Sequence, residues 1–217
     1  MKIAPSVLAG DLANLTEMLQ DIEANGCDLV HFDVMDGHFV PNLTFGPPLI
    51  KAARRHTKLP FDVHLMVTNP ADYLESLADL GLKNLSFHIE VTNSAPRMIN
   101  RIRELGMRPS IALNPQTGLT AIEQVLPLID NVMIMGVDPG FAGQQFISPV
   151  FNKVESLVEY REENELVFTI EVDGGVNENN LSELGAIGVD IVVAGKAYFS
   201  APDRKAFVQA VQATLGG

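Results

Sequence analysis

Short β-rich runs alternate with amphipathic helical stretches from one end of the chain to the other, and this alternation restricts the fold more than any other feature. The runs are Ile3–Ser6, Asp28–Val34, Phe61–Val67, Asn84–His88, Pro109–Leu113, Asn131–Val137, Phe168–Val172 and Asp190–Ala194. The stretches between and after them predict helices at Leu12–Ala24, Pro48–Arg55, Pro70–Leu80, Pro96–Leu105, Leu119–Leu126, Pro149–Glu162, Asn180–Leu184 and Pro202–Leu215. Several open on proline, whose missing N–H costs nothing in a first helical turn. Gly26, Gly81, Gly106 and Gly188 stand just before a following strand, where a helix C-terminus favours glycine. Repeated strand–helix units demand parallel strands and right-handed crossovers. Eight units in 217 residues, with no Pro/Gly/Ser-rich linker, predict an α/β protein: one (β/α)8 TIM barrel catalytic domain over 1–217. An open doubly wound sheet is the structural alternative, weakened because no Gly-x-Gly-x-x-Gly turn follows the first strand.

Composition removes several classes of function. With 47% hydrophobic and 19% charged residues the chain can supply a well-buried core. Its 15 Lys+Arg against 27 Asp+Glu give a net charge of −12, so the basic footprint of a nucleic-acid binder is missing. An anionic substrate would have to be held by local groups against the overall field. The single cysteine, Cys27, excludes an internal disulfide or a thiolate zinc cluster and reads as a small buried residue. No secretory leader and no membrane-length apolar segment is visible, so no membrane partner is expected and the expected compartment is the cytoplasm.

Chemistry in such a barrel sits at the C-terminal strand ends. The second strand carries His31 and Asp33, two apart and therefore on one face. His64 lies near the end of the third strand and Asp173 at the lip of the seventh. Taken singly, a histidine in an apolar run is more often a satisfied core residue, and an aspartate beside glycines a turn. Together, four polar side chains in apolar strands would be costly to bury without partners. Two imidazoles and two carboxylates suit one divalent transition metal: Zn2+, Fe2+, Mn2+ or Co2+. Glycine-containing turns follow the last three strands: Gly140-Phe141-Ala142-Gly143-Gln144, Asp173-Gly174-Gly175-Val176 and Ala194-Gly195-Lys196. Each alone is an ordinary turn. Three at adjacent strand ends point to an oxyanion held by backbone N–H groups.

The segment His31-Phe32-Asp33-Val34-Met35-Asp36-Gly37-His38-Phe39-Val40-Pro41-Asn42 closely resembles the signature of ribulose-phosphate 3-epimerases. Asp62-Val63-His64-Leu65-Met66-Val67, Val137-Asp138-Pro139-Gly140-Phe141-Ala142-Gly143-Gln144 and Glu171-Val172-Asp173-Gly174-Gly175-Val176 are similar to the family's further motifs, in order. The match runs from Ile3 to about Phe199. This resemblance implies a ribulose-phosphate-binding type of barrel and a phosphorylated ketose as substrate. It implies one divalent ion on His31, Asp33, His64 and Asp173, no organic cofactor, and a homo-oligomer, dimeric or hexameric. Asp33 and Asp173 are implied as the acid/base pair that inverts C3 through an ene-diolate. Ser6 and His64 would contact the sugar, and Met35, Met66 and Met135 would line the site. Gly143, Gly174, Gly175 and Gly195 would hold the phosphate, with Gly140, Phe141, Ala142 and Lys196 on the same loops.

Two positions depart from the family pattern. Ala142 stands where the family often has glycine, and Lys196 where it usually has serine. Gly-Phe-Ala-Gly and Asn114-Pro115 are similar to allulose-6-phosphate 3-epimerases, so a hexulose phosphate stays beside D-ribulose 5-phosphate as substrate. A phosphate-binding barrel decarboxylase is a further alternative, but the Asp-x-Lys arrangement of such enzymes has no lysine counterpart in His31-Phe32-Asp33-Val34. A non-catalytic sugar-phosphate-binding barrel would not require two acids.

Overall fold

The computed structural model describes residues 1–214. Its strands are β1 (Lys2–Ala4), β2 (Val30–Met35), β3 (Phe61–Met66), β4 (Leu82–His88), β5 (Pro109–Leu113), β6 (Asn131–Met135), β7 (Thr169–Asp173) and β8 (Ile191–Val193). They form one sheet, ordered β1-β8-β7-β6-β5-β4-β3-β2, with every neighbouring pair parallel. The two edge strands meet through a parallel bridge between Ser6 and His31, where the His31 N–H donates to the Pro5 carbonyl at 3.0 Å. The sheet thus curls into the expected (β/α)8 barrel, with a thin seam between its first two strands.

The helices are α1 (Leu15–Ala24), α2 (Pro47–Ala53), α3 (Leu74–Leu77), α4 (Ala95–Glu104), α5 (Val150–Glu163), α6 (Leu181–Ala186), α7 (Lys196–Ser200) and α8 (Arg204–Ala213). Gly26, Gly81, Gly106 and Gly188 all have positive φ, between 73° and 92°, as their positions before a strand predict. Three segments differ from the sequence reading. Leu119–Leu126 contains no α-helix; it is two 3-10 segments, Leu119–Ala121 and Glu123–Leu128, the second containing Pro127, which cannot donate to an α-helical ladder. The stretch from Pro70 begins as 3-10 helix to Tyr73 and stops at Leu77, where Ala78 turns extended and Asp79 takes φ of 62°. The helix α7 between β8 and α8 has no counterpart among the predicted elements. The far end of the predicted Pro202–Leu215 helix, Leu215, lies outside the described residues.

Strand alternation divides the interior in two. Outward-facing Val30, Phe32 and Val34, Phe61, Val63 and Leu65, and Ile170 and Val172 join the helices in the main apolar core. Phe32 is fully buried against Phe61, ring centroids 4.8 Å apart. Emptying such a position to alanine costs about 3–5 kcal/mol. Inside the barrel the population is different. Apolar Ala4, Ile191, Val193, Ala112, Met133 and Met135 occupy part of it. The remainder is polar, and that polar part determines where chemistry can occur.

Candidate active site

The register of β2 on β3 builds the site in layers. His31 lies opposite Asp62, Asp33 opposite His64, and Met35 opposite Met66. On the other wall Glu171 lies opposite Met133, and Asp173 opposite Met135. Because inward-facing residues recur every second position, Asp62 and Glu171 lie below, His64 and Asp173 at the mouth and methionines along the rim, while β2 brings both His31 and Asp33 to the mouth.

At the mouth the four expected residues converge. One ligand atom from each of His31, Asp33, His64 and Asp173 lies within 4.8 Å of all the others. His31 Nε2 is 3.3 Å from Asp33 Oδ1 and 3.8 Å from Asp173 Oδ2. His64 Nδ1 is 3.3 Å from Asp173 Oδ2 and 3.7 Å from Asp33 Oδ1. Both imidazoles are fully buried, yet His31 Nε2 and His64 Nδ1 have no hydrogen-bond partner. An unpaired buried polar atom costs about 1–3 kcal/mol. Two of them face two carboxylates, and the buried His/Asp cluster is consistent with a divalent metal. Without an ion the cluster compensates internally. Burial opposes ionisation of Asp33, but His31 and His64 outweigh it and hold this carboxyl far below the usual carboxylate range. Burial likewise opposes charge on His31 and is outweighed by Asp33 and Asp62, which raise its pKa well above the ordinary imidazole value.

Each imidazole is oriented from behind. His31 Nδ1 is 2.5 Å from Asp62 Oδ2, so its Nε2 is the nitrogen left for the cluster. His64 Nε2 is 2.8 Å from His88 Nε2, leaving His64 Nδ1. Ser6 Oγ donates to Asp33 Oδ2 at 2.5 Å and so reaches the site through the aspartate. None of Asp62, Glu171, His88 or Glu90 was singled out from sequence. The available signal was parity: each sits two residues from an inward-facing polar group on its own strand or just beyond its end. Glu171 has its pKa raised well above normal by burial and by Asp62, and its Oε2 accepts from Asn131 at 2.7 Å. His31, Asp62 and Glu171 are also close enough to form a second ligand-like group, but His31 enters it through the nitrogen already paired with Asp62.

Above the cluster opens a cavity of about 370 Å³, a size suited to a small metabolite. Ser6, Asp33 and Asp173 reach its wall, as do Met35, Met66 and Met135. So do Gly140, Phe141, Ala142 and Gly143 after β6, Gly174 and Gly175 after β7, and Gly195 and Lys196 after β8. His31 and His64, both fully buried, are not part of this wall. Gly174 and Gly175 have φ of 97° and 71°, and a side chain on Gly175 would fall 2.7 Å from the Phe146 backbone. Only glycine makes this turn while keeping the loop pressed against its neighbour. Lys196 opens α7, and its Cδ would meet a Cβ on Gly143 at 3.3 Å, so it stands beside the β6 loop at the cavity wall. Asn42 Nδ2 donates to the Gly140 carbonyl at 3.2 Å and ties that loop to the one after β2. Cys27 is buried as expected, and burial pushes its thiol up to about 12. Among the described residues no helix is long and apolar enough to cross a membrane.

Comparison with known proteins agrees with this geometry. Residues 2–199 match the model of the ribulose-phosphate 3 epimerase family. The ribulose-phosphate 3-epimerase of Treponema pallidum (strain Nichols) is 46% identical over 91% of each chain. That of Bacillus subtilis (strain 168) is 40% identical over 98% of each. The cytoplasmic isoform of Oryza sativa subsp. japonica is 40% identical, covering 100% of this chain and 95% of its own. On the strength of this near-complete match, the chain belongs to the ribulose-phosphate 3 epimerase family.

Proposed function

We propose that this chain is an isomerase that interconverts D-ribulose 5-phosphate and D-xylulose 5-phosphate by inverting C3. The observation that carries the reading is the approach of Asp33 and Asp173 to one buried cluster from β2 and β7, three steps apart around the barrel. Both carboxylates reach the same cavity. The C3 hydrogen of a ketose is acidified by the C2 carbonyl. One carboxylate removes it, leaving a planar ene-diolate, and the other, carrying a proton, delivers to the opposite face. Each such transfer contributes about 10²–10⁴-fold. Two fixed acids accomplish this without a mobile base, and their protonation states are coupled.

His31, Asp33, His64 and Asp173 would hold a divalent ion, Zn2+, Fe2+, Mn2+ or Co2+. When bound it supplies Lewis-acid stabilisation of the oxygen charge that develops at C2 and C3. The protein's own groups do the rest. The Ser6 hydroxyl fixes one oxygen of Asp33 and so aims the other. Met35, Met66 and Met135 give the planar intermediate an apolar, polarisable surround and keep water from protonating it. Glycine loops at 143, 174–175 and 195, with Lys196 beside them, grip the phosphate, and that remote binding positions C3 between the acids.

The names of the relatives support the pentulose substrate. Ala142 and Lys196 favour testing a hexulose as well. The deciding experiment is epimerisation by metal-loaded protein of ribulose 5-phosphate beside allulose 6-phosphate. A higher kcat/KM on ribulose 5-phosphate is expected; a preference for the hexulose would reassign the substrate, and inactivity on both would overturn the reading.

A further inference from the structure

Behind His64 runs a chain of hydrogen bonds that the epimerisation scheme does not use. His88, fully buried at the end of β4, faces His64 with Nε2 to Nε2 at 2.8 Å. The ring centroids are 4.9 Å apart, a spacing that fits two nitrogens pointing at each other in an N–H···N bond. On its other side His88 Nδ1 is 3.1 Å from Glu90 Oε2. Glu90 Oε1 accepts from the Asn114 backbone N–H at 2.9 Å and from the Thr117 hydroxyl at 2.5 Å. That loop is itself pinned. Lys153 Nζ, from α5, donates to the carbonyls of Asn114, Pro115 and Thr117 at 3.0, 2.6 and 2.7 Å.

We propose that Glu90 and His88 are positioning residues that set the tautomer of His64. A carboxylate can only accept, so Glu90 requires the proton of neutral His88 on Nδ1. His88 Nε2 then carries a lone pair and can only accept from His64. His64 therefore holds its proton on Nε2 and presents a bare Nδ1 to Asp33, Asp173 and the ion. Every link in this series has one polarity, and the loop from 114 to 117 anchors its far end. Were the polarity reversed, His88 would donate to His64 Nε2, and His64 would direct an N–H into the cluster in place of a ligand atom. His31 is set by a single aspartate, Asp62; His64 is set through a second imidazole by a carboxylate that a loop outside the cavity holds.

The inference rests on His64 being a ligand, and the loop supplies a sharp way to test it. In Glu90→Gln the Asn114 N–H still needs an acceptor, so the amide oxygen takes the Oε1 position and the NH2 group faces His88 Nδ1. The isosteric variant thus inverts the series, whereas Glu90→Ala only removes its end. Dissociation constants for Zn2+, measured by competition with a chromophoric chelator, should weaken about 10–100-fold in Glu90→Gln and less in Glu90→Ala. A value for Glu90→Gln within twofold of the parent, or Ala weaker than Gln, overturns the assignment. Imidazole 15N chemical shifts of the unmutated Zn2+-loaded protein give the variant-free check. They should report neutral His88 protonated on Nδ1 and His64 protonated on Nε2; a proton on His88 Nε2 sinks the proposal even if no variant folds. A parent protein that binds no Zn2+ would instead remove the metal reading itself.

Discussion

Two buried polar layers lie one above the other inside this barrel, and they behave differently. The upper holds His31, Asp33, His64 and Asp173; the lower holds Asp62, Asn84, Ser86, Ser110, Asn131 and Glu171, each with no exposed surface. In the lower layer the groups mostly serve one another. Ser86 Oγ donates to Ser110 at 2.8 Å, Asn131 Nδ2 to Ser110 at 2.9 Å and to Glu171 at 2.7 Å, and Thr169 Oγ1 to Asn131 at 2.6 Å. Four atoms of this layer have no partner: Asp62 Oδ1, Glu171 Oε1 and both amide atoms of Asn84. One proton shared between the two carboxyls, which burial of Glu171 beside Asp62 favours, accounts for the first two. All four lie away from the cavity wall. In the upper layer two nitrogens stay unpaired and point at carboxylates that reach a cavity. Polarity inside a barrel therefore does not mark a site. Unmet valence facing an opening does.

Substitutions can break or sharpen this contrast. The largest effect is expected from Asp33→Asn or Asp173→Asn, each of which removes one proton carrier and should lower kcat by about 10²–10⁴-fold with an unchanged far-ultraviolet circular dichroism spectrum. A variant of either kind retaining near-parental turnover would show that the upper layer is only structural. Asp62→Asn comes next, because it disturbs the layer below through the partner of His31. Metal affinity should fall about 10–100-fold in a chelator competition, with metal-saturated turnover changed less than in the first pair. Lys196→Ser should raise KM about fivefold, roughly 1 kcal/mol for an exposed ion pair, and leave kcat nearly alone; an unmoved KM takes this lysine out of the phosphate grip. The smallest effect belongs to Glu171→Gln. The amide keeps one donor for Asp62 and one acceptor for Asn131, so the urea midpoint should correspond to a loss within about 1 kcal/mol. A collapse of stability there would mean that Glu171 is needed as a carboxylate and that the two layers are electrostatically one.

The same contrast explains what the sequence made legible. The eight strands could be read because apolar, β-branched runs punctuated by glycine leave little choice, and the observed strands differ from the expected ones only at their ends. His31, Asp33, His64 and Asp173 stood out as polar interruptions at strand ends. Asp62 and Glu171 interrupt the same strands two residues earlier, and nothing in their identity distinguishes a group under the site from one in it. His88 and Glu90 depend on a contact between β4 and the loop after β5, a long-range pairing that one sequence does not disclose. The crossovers were least legible: Leu119–Ala121 and Glu123–Leu128 are 3-10 segments, and the chain after Leu77 leaves the helix, with Asp79 at positive φ. The five residues of α7 are too short to show a period.

The most direct measurement follows the C3 hydrogen in deuterated water, starting separately from each epimer, in Asp33→Asn and in Asp173→Asn. An amide cannot take up the proton, so each variant should wash the hydrogen out of one epimer only, and the two variants should select opposite epimers. Exchange from both epimers in either variant, or from the same epimer in both, would contradict a mechanism with one acid on each face of the sugar carbon.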